Sequence, residues 1–220
     1  MRSSKDKTKF TIINCNARSL CPKIDSLLDC FSEVDATVGV VTETWLGKET
    51  AEAQERFREE GGIGFLSRNR NQAASNGVYY GGVAVLWKEG VCNLTKIYIP
   101  NPNDFEVLVM AGSIRGHSRK LVVIAFYLPP GYTKERGEAA LEYINDCVVK
   151  IKQKYADPFI VMAGDCNQWK VTEALLDFPD LREAPVGPTR EDREIDKIYT
   201  NVSRSLVESG TTGDGRRQNE

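Results

Sequence analysis

The run Phe159-Ile160-Val161-Met162-Ala163 is apolar at every position and breaks at Gly164. A run this short and this uniformly apolar is of the buried-strand type, so the chain must build a sheet around it. Asp165, Cys166 and Asn167 follow where the strand opens into a loop. In extended geometry residues i and i+2 point to the same side. The Asp165 carboxylate and the Asn167 carboxamide can therefore converge on one small object, such as a phosphate or a water. An Asx-type loop start is the plainer use of the same residues.

Other segments fit a sheet protein with helices. Residues 10–14, 37–41, 83–87, 94–99, 105–114, 121–127 and 195–200 read as further strands, from their β-branched and apolar content. The 37–41 run is apolar on both sides, so that strand is central. The turn Arg115-Gly116-His117-Ser118 makes a hairpin of the 105–114 and 121–127 strands. Pro22 opens a helix whose apolar face is Ile24, Leu27, Leu28 and Phe31. A second helix covers 49–60 and stops at Gly61-Gly62. A third covers 134–154, with Leu141, Ile144, Val148 and Ile151 inward, and a short one covers 172–178. The expectation is an α/β sandwich: two packed sheets with helices outside. Residues 1–8 read as a disordered tail, 9–202 as one domain, and 203–220 as a loose polar segment.

At 220 residues the chain can bury a sizeable core, and its composition is that of an ordinary globular protein. The net charge of −2 gives no global basic field, so any polyanion must be held by a local patch or through a metal. Six cysteines occur without a CxxC pair or a leader-type N-terminus, and most of them, set in apolar patterns, read as small buried hydrophobes in a reducing compartment. No run reaches transmembrane length, so the expectation is an intracellular protein, nuclear or cytoplasmic, with no membrane partner. The single histidine, His117, excludes a multi-histidine zinc site.

Five places carry the chemistry. Asn16, Glu43, Tyr127 and the Asp165/Asn167 pair follow apolar runs, and Asp196 interrupts the last strand. Plainer uses exist for each: Asn16 as a helix cap, Glu43 as a solvated loop carboxylate, Tyr127 as a core aromatic. Asp196 needs a partner, for which Arg190 or Lys197 would serve. Together they fit phosphodiester hydrolysis. That reaction needs an oxygen-ligated divalent metal, an acceptor to orient or deprotonate water, and neutral donors on the phosphoryl oxygens. Glu43 is the expected hard-oxygen ligand, Asp165 the water activator, Asn167 and Asn16 positioners, and Tyr127 a phosphate donor. The lack of a Cys/His cluster favours Mg2+ or Mn2+. The basic 68–76 loop, with Arg68 and Arg70, and the Lys/Arg residues near 115–120 offer phosphate contacts, an ordinary solvated loop being the plainer use of each.

Five segments occur in a telling order: Asn14-Cys15-Asn16-Ala17-Arg18, Thr42-Glu43-Thr44-Trp45, Phe126-Tyr127-Leu128-Pro129-Pro130, Gly164-Asp165-Cys166-Asn167, and Pro188-Thr189-Arg190 with Ile195-Asp196. In this order they resemble the endonuclease/exonuclease/phosphatase superfamily, above all the apurinic-type endonuclease domain of non-LTR retrotransposons. The likeness runs from about residue 10 to 201. It implies a DNase I-like fold of two mostly antiparallel sheets in four layers, and a magnesium-dependent nuclease that nicks DNA within a reverse transcriptase polyprotein. By matched position it makes Glu43 and Asn16 metal-side residues and Tyr127, Asp165, Asn167 and Asp196 catalytic ones. Arg18, Arg68, Arg70, Thr189 and Arg190 become candidate substrate contacts. Such domains close with Ser-Asp-His on a final strand, and no histidine follows Asp196 here. The resemblance therefore implies a sheet lacking its last strand and a loss of about 10²–10³ in rate for one missing contact. A phosphoesterase of lipid or inositol phosphates, or a non-catalytic remnant of the domain, are the other readings the motifs leave open.

Overall fold

The computed structural model describes residues 9–71, 80–185 and 196–203. Two sheets face each other. The first comprises β1 (Ile12–Asn16), β2 (Val38–Thr42), β3 (Ile63–Arg68) and β4 (Val83–Lys88), in the order β1-β2-β4-β3. The second comprises β5 (Cys92–Lys96), β6 (Val107–Ile114), β7 (Lys120–Tyr127), β8 (Phe159–Asp165), β9 (Arg182–Glu183) and β10 (Asp196–Thr200), in the order β5-β6-β7-β8-β10-β9. Pairing is antiparallel except for β1 with β2 and β7 with β8. The expected mostly antiparallel, DNase I-like sandwich is what forms. Its terminal strand was expected to be missing; residues 204–220 lie outside the described part, and β1 is an edge of its sheet among the described residues.

Side-chain alternation divides the core into three slabs. Val38, Val40, Val83 and Val85 point inward and meet Leu108, Met110, Leu121, Val123, Ala125, Val161 and Ala163 of the other sheet. Their strand neighbours Val41, Ala84 and Leu86 point outward onto α1 (Ile24–Glu33) and α2 (Thr50–Gly61), through Ile24, Leu27, Phe31, Ala53 and Phe57. The second sheet's outer face, with Val122, Ile124, Phe126, Ile160 and Met162, is covered by α3 (Lys134–Lys154) through Ala140, Ile144, Cys147, Val148 and Ile151. The order of layers is helix, sheet, sheet, helix, which hides the 159–163 run on both sides. Thr133 caps α3 by accepting from the Arg136 amide.

The expected α3 boundaries match those observed, and the 115–118 turn does join β6 to β7, with His117 exposed in it. Elsewhere boundaries move. Pro22 sits in a 3-10 turn, Cys21–Lys23, ahead of α1. The 172–178 helix shrinks to α4 (Val171–Ala174), and Leu141 is only half-buried. Two strands went unread, β3 and the two-residue β9. Asp196 lies in β10, as expected, and is the first described residue of that strand.

Candidate active site

Parallel pairing sets the position of the site. β1 and β2 run together in one sheet and β7 and β8 in the other, so each pair delivers its carboxyl ends side by side. β10 runs against β8 and begins where β8 ends, with Asp196 opposite Asp165. The ends of these strands meet at one rim of the sandwich. Asn14 Nδ2 on β1 donates to the Gly164 carbonyl on β8 at 3.3 Å, across the two sheets.

Two residues on, Asn16 makes the central contact. Its Nδ2 donates to Glu43 Oε1 at 2.7 Å and to Asp165 Oδ2 at 2.9 Å. One neutral amide therefore holds two carboxylates that lie 122 positions apart in the chain. Asn16 Oδ1 accepts the Arg18 amide at 3.1 Å, which fixes the carboxamide plane. The Tyr127 hydroxyl donates to Glu43 Oε1 at 3.3 Å. Burial, then the charges of Glu43, Asp165 and Glu106, push the Tyr127 phenol above its ordinary range, so it stays a proton donor.

Asn167 does not reach the rim by strand alternation. Its φ of 45° puts it in the left-handed region, and its amide donates to Asp165 Oδ1 at 2.9 Å. This is an Asx-type turn, and the expectation of an extended i, i+2 pair is corrected accordingly. The Asn167 carboxamide donates to the Leu128 carbonyl at 3.0 Å, which tethers the turn to the end of β7. The Asx turn leaves Asp165 Oδ2 aimed at Asn16.

The loops after β1 and β2 are unusually constrained. Arg18, Ser19, Glu43 and Trp45 all have positive φ without being glycine. Backbone bonds hold them there: Ala17 N–H to the Thr42 carbonyl at 2.9 Å, Ser19 to Glu43 at 3.0 Å, and Leu20 to Thr44 at 3.0 Å. Conformations costing about 1–3 kcal/mol each persist only where surroundings over-determine them, and they concentrate at functional sites.

The other expected residues are placed as follows. Arg18 is exposed on its loop. Arg68 pairs with Asp104, and Arg70 pairs with Glu106. Lys197, offered as a partner for Asp196, forms an ion pair with Glu183 at 2.5 Å. Thr189 and Arg190 lie outside the described residues. Cys166, beside Asp165, points into the core under α3, and burial pushes its thiol up to about 12.

Glu106 was not singled out from the sequence, although a carboxylate between Phe105 and Val107 in an apolar stretch was the available signal. It is 4% exposed. Burial raises its carboxyl, and Arg70 with the Gly82 amide offsets part of that.

The fit for a metal can be judged from the donors. Glu43 and Asp165 offer carboxylate oxygens, and their two like charges converge on the Asn16 amide N–H, an arrangement a hard divalent cation would relieve; Asn16 has its Oδ1 to offer. Among the described residues no three of His, Cys, Asp and Glu form a ready-made cage.

Face-to-face sheets between helices, with an oxygen-lined rim at the strand ends, define the DNase I-like class. The chain belongs to the endonuclease/exonuclease/phosphatase family, whose model matches residues 9–216. The family is one of hydrolytic nucleases and phosphatases. Among solved structures, the endonuclease domain of TRAS1, a telomere-specific non-LTR retrotransposon, aligns with a TM-score of 0.61 at 13% identity, over 87% of this chain and 85% of that one. D. rerio TDP2 complexed with a single-strand DNA product gives 0.61 at 15%, over 90% and 86%. The human Nocturnin catalytic domain with bound sulfate gives 0.60 at 12%, over 82% and 74%. At such identities the likeness is one of fold. No curated protein matches the sequence. Among the described residues, no helix is long and apolar enough to cross a membrane.

Proposed function

We propose that this chain hydrolyses phosphodiester bonds in DNA with Mg2+ or Mn2+, nicking one strand as the endonuclease domain of a non-LTR retrotransposon polyprotein that carries a reverse transcriptase. The observation that carries the reading is the single Asn16 amide shared by Glu43 and Asp165. It makes one small, acidic, oxygen-lined space out of two distant segments. The DNA-bound TDP2 and the retrotransposon endonuclease among the structural neighbours support DNA as substrate.

Glu43 and Asn16 would hold the metal, whose chemistry is to neutralise charge developing on the phosphoryl oxygens. Asp165 accepts a proton from, or orients, the attacking water, with its other oxygen locked by the Asn167 amide. The Tyr127 hydroxyl, held protonated, donates to a phosphate oxygen. Asn167 supplies a neutral donor and Asp196 a further carboxylate beside Asp165. Arg18, Arg68, Arg70, Thr189 and Arg190 are the proposed contacts to the nucleic-acid backbone.

Conversion of supercoiled plasmid to the nicked form, with and without magnesium, tests the reading. Nicking should require the metal and fall about 10²–10⁴-fold in Asp165→Asn, the range for loss of a general base. Unchanged nicking in that variant would sink the assignment of Asp165. Phosphate release from inositol or lipid phosphates with intact plasmid would place the chain among phosphatases instead.

A further inference from the structure

A second polar cluster stands over the Tyr127 ring. The Arg70 Nε donates to Glu106 Oε1 at 2.6 Å, and Nη2 lies 2.6 Å from the same oxygen. Glu106 Oε2 accepts the Gly82 amide. The guanidinium carbon sits 5.7 Å from the Tyr127 ring centre, in cation–π range. The backbone joins the same residues, because the Tyr127 amide donates to the Glu106 carbonyl at 2.9 Å.

Glycine makes the arrangement possible. Gly81 has a φ of 101°, and a Cβ there would fall 2.5 Å from Arg70 Nη2 and 2.6 Å from Glu106 Oε2. A buried glutamate is costly unless paired and hydrogen-bonded, and all of that pairing is spent on one arginine and one loop amide. The arginine is not itself buried to the same degree, its side chain being 23% exposed. Among the described residues no acceptor engages its Nη1. Among the described residues the fork is thus gripped along one edge and unengaged along the other.

We infer that Arg70 is a phosphate-binding residue, held across the face of Tyr127 by Glu106 as its positioning residue. The ligand is a non-bridging phosphate oxygen of the nucleic-acid substrate, taken beside the one that Tyr127 meets. The inference rests on the nuclease reading above. An arginine fixed in a plane by its own carboxylate loses little side-chain freedom on gripping phosphate, which is why the glutamate matters to binding.

The test is binding of a fluorescein-labelled DNA duplex to the full chain by anisotropy, with calcium in place of magnesium, over a series of salt concentrations. Arg70→Ala should weaken binding about tenfold and lower the salt slope by about one. Arg70→Lys should keep the slope but recover only part of the affinity, having the charge without the fork. Glu106→Gln should reproduce most of the Arg70→Ala loss. The double variant R70A/E106Q should bind no worse than R70A alone, since the two act as one unit. That variant removes the buried charge together with its partner, so it decides the matter if E106Q alone does not fold. A wild-type slope and affinity in R70A, or losses that multiply in the double variant, would overturn the inference. Magnesium-dependent nicking by the unaltered chain is scored separately, and its absence counts against the nuclease reading instead.

Discussion

Asn16 is the residue on which the site's geometry turns, because its amide donates to both carboxylates. Asn16→Ala removes that donor and leaves Glu43 and Asp165 to repel each other. The expected result is a 10–100-fold higher magnesium requirement for nicking, read from a metal titration. Tyr127→Phe is a cleaner probe, since the ring packs in the inter-sheet core and only the hydroxyl is lost. It should lower the nicking rate about 10²–10³-fold while the melting temperature stays close to that of the parent. These residues were legible in the sequence because a polar group directly after an apolar run has few structural reasons to be there. Glu106 was not, because it lies just before β6 and its partner Arg70 lies 36 positions upstream. Only the fold puts the two together. The Asn167 conformation was also out of reach, since a Gly-Asp-x-Asn string does not state the sign of φ.

Among the elements, the β7–β8 pair carries the tightest constraint. Gly164 faces Phe126 in the parallel register, and a Cβ on it would lie 1.9 Å from the Phe126 carbonyl oxygen. Gly164→Ala must push the strands apart just ahead of Asp165. It should cost about 1–3 kcal/mol in urea denaturation, the usual range for overpacking, and should impair nicking beyond that loss of stability. The long elements were the readable ones. α3 has 21 residues of consistent periodicity, and β7 and β8 are continuous apolar runs. β3 escaped notice because Gly61, Gly62 and Gly64 break its opening and Ser67-Arg68 its close, so its identity comes from pairing with β4.

For the molecule as a whole, the buried ionisable groups set the alkaline limit. Burial pushes Cys92 and Cys147 up to about 11, and Cys15 and Cys166 to about 12, from an ordinary 9.0. Tyr127, Tyr143 and Tyr199 are likewise raised by burial from 10.0. Between the unfolded and folded values the native state binds more protons than the unfolded one, so stability falls as pH rises. The contribution is fully present below pH 9 and should decline through pH 9 to 12. Urea midpoints measured in reducing buffer at pH 7, 9 and 10.5 check this, and a flat profile would contradict it. The layered architecture itself was legible, because strands apolar on both sides need covering twice.

The Asn16 bridge joins the two slabs of the sandwich, with Glu43 carried by one and Asp165 by the other. Neither sheet holds the proposed site alone. A slight sliding of one sheet over the other would part the acidic pair while every helix and strand stayed intact. If the chain turns over as proposed, its activity is a strain gauge for its own midplane, and nicking should vanish at gentler denaturant than any spectroscopic sign of melting.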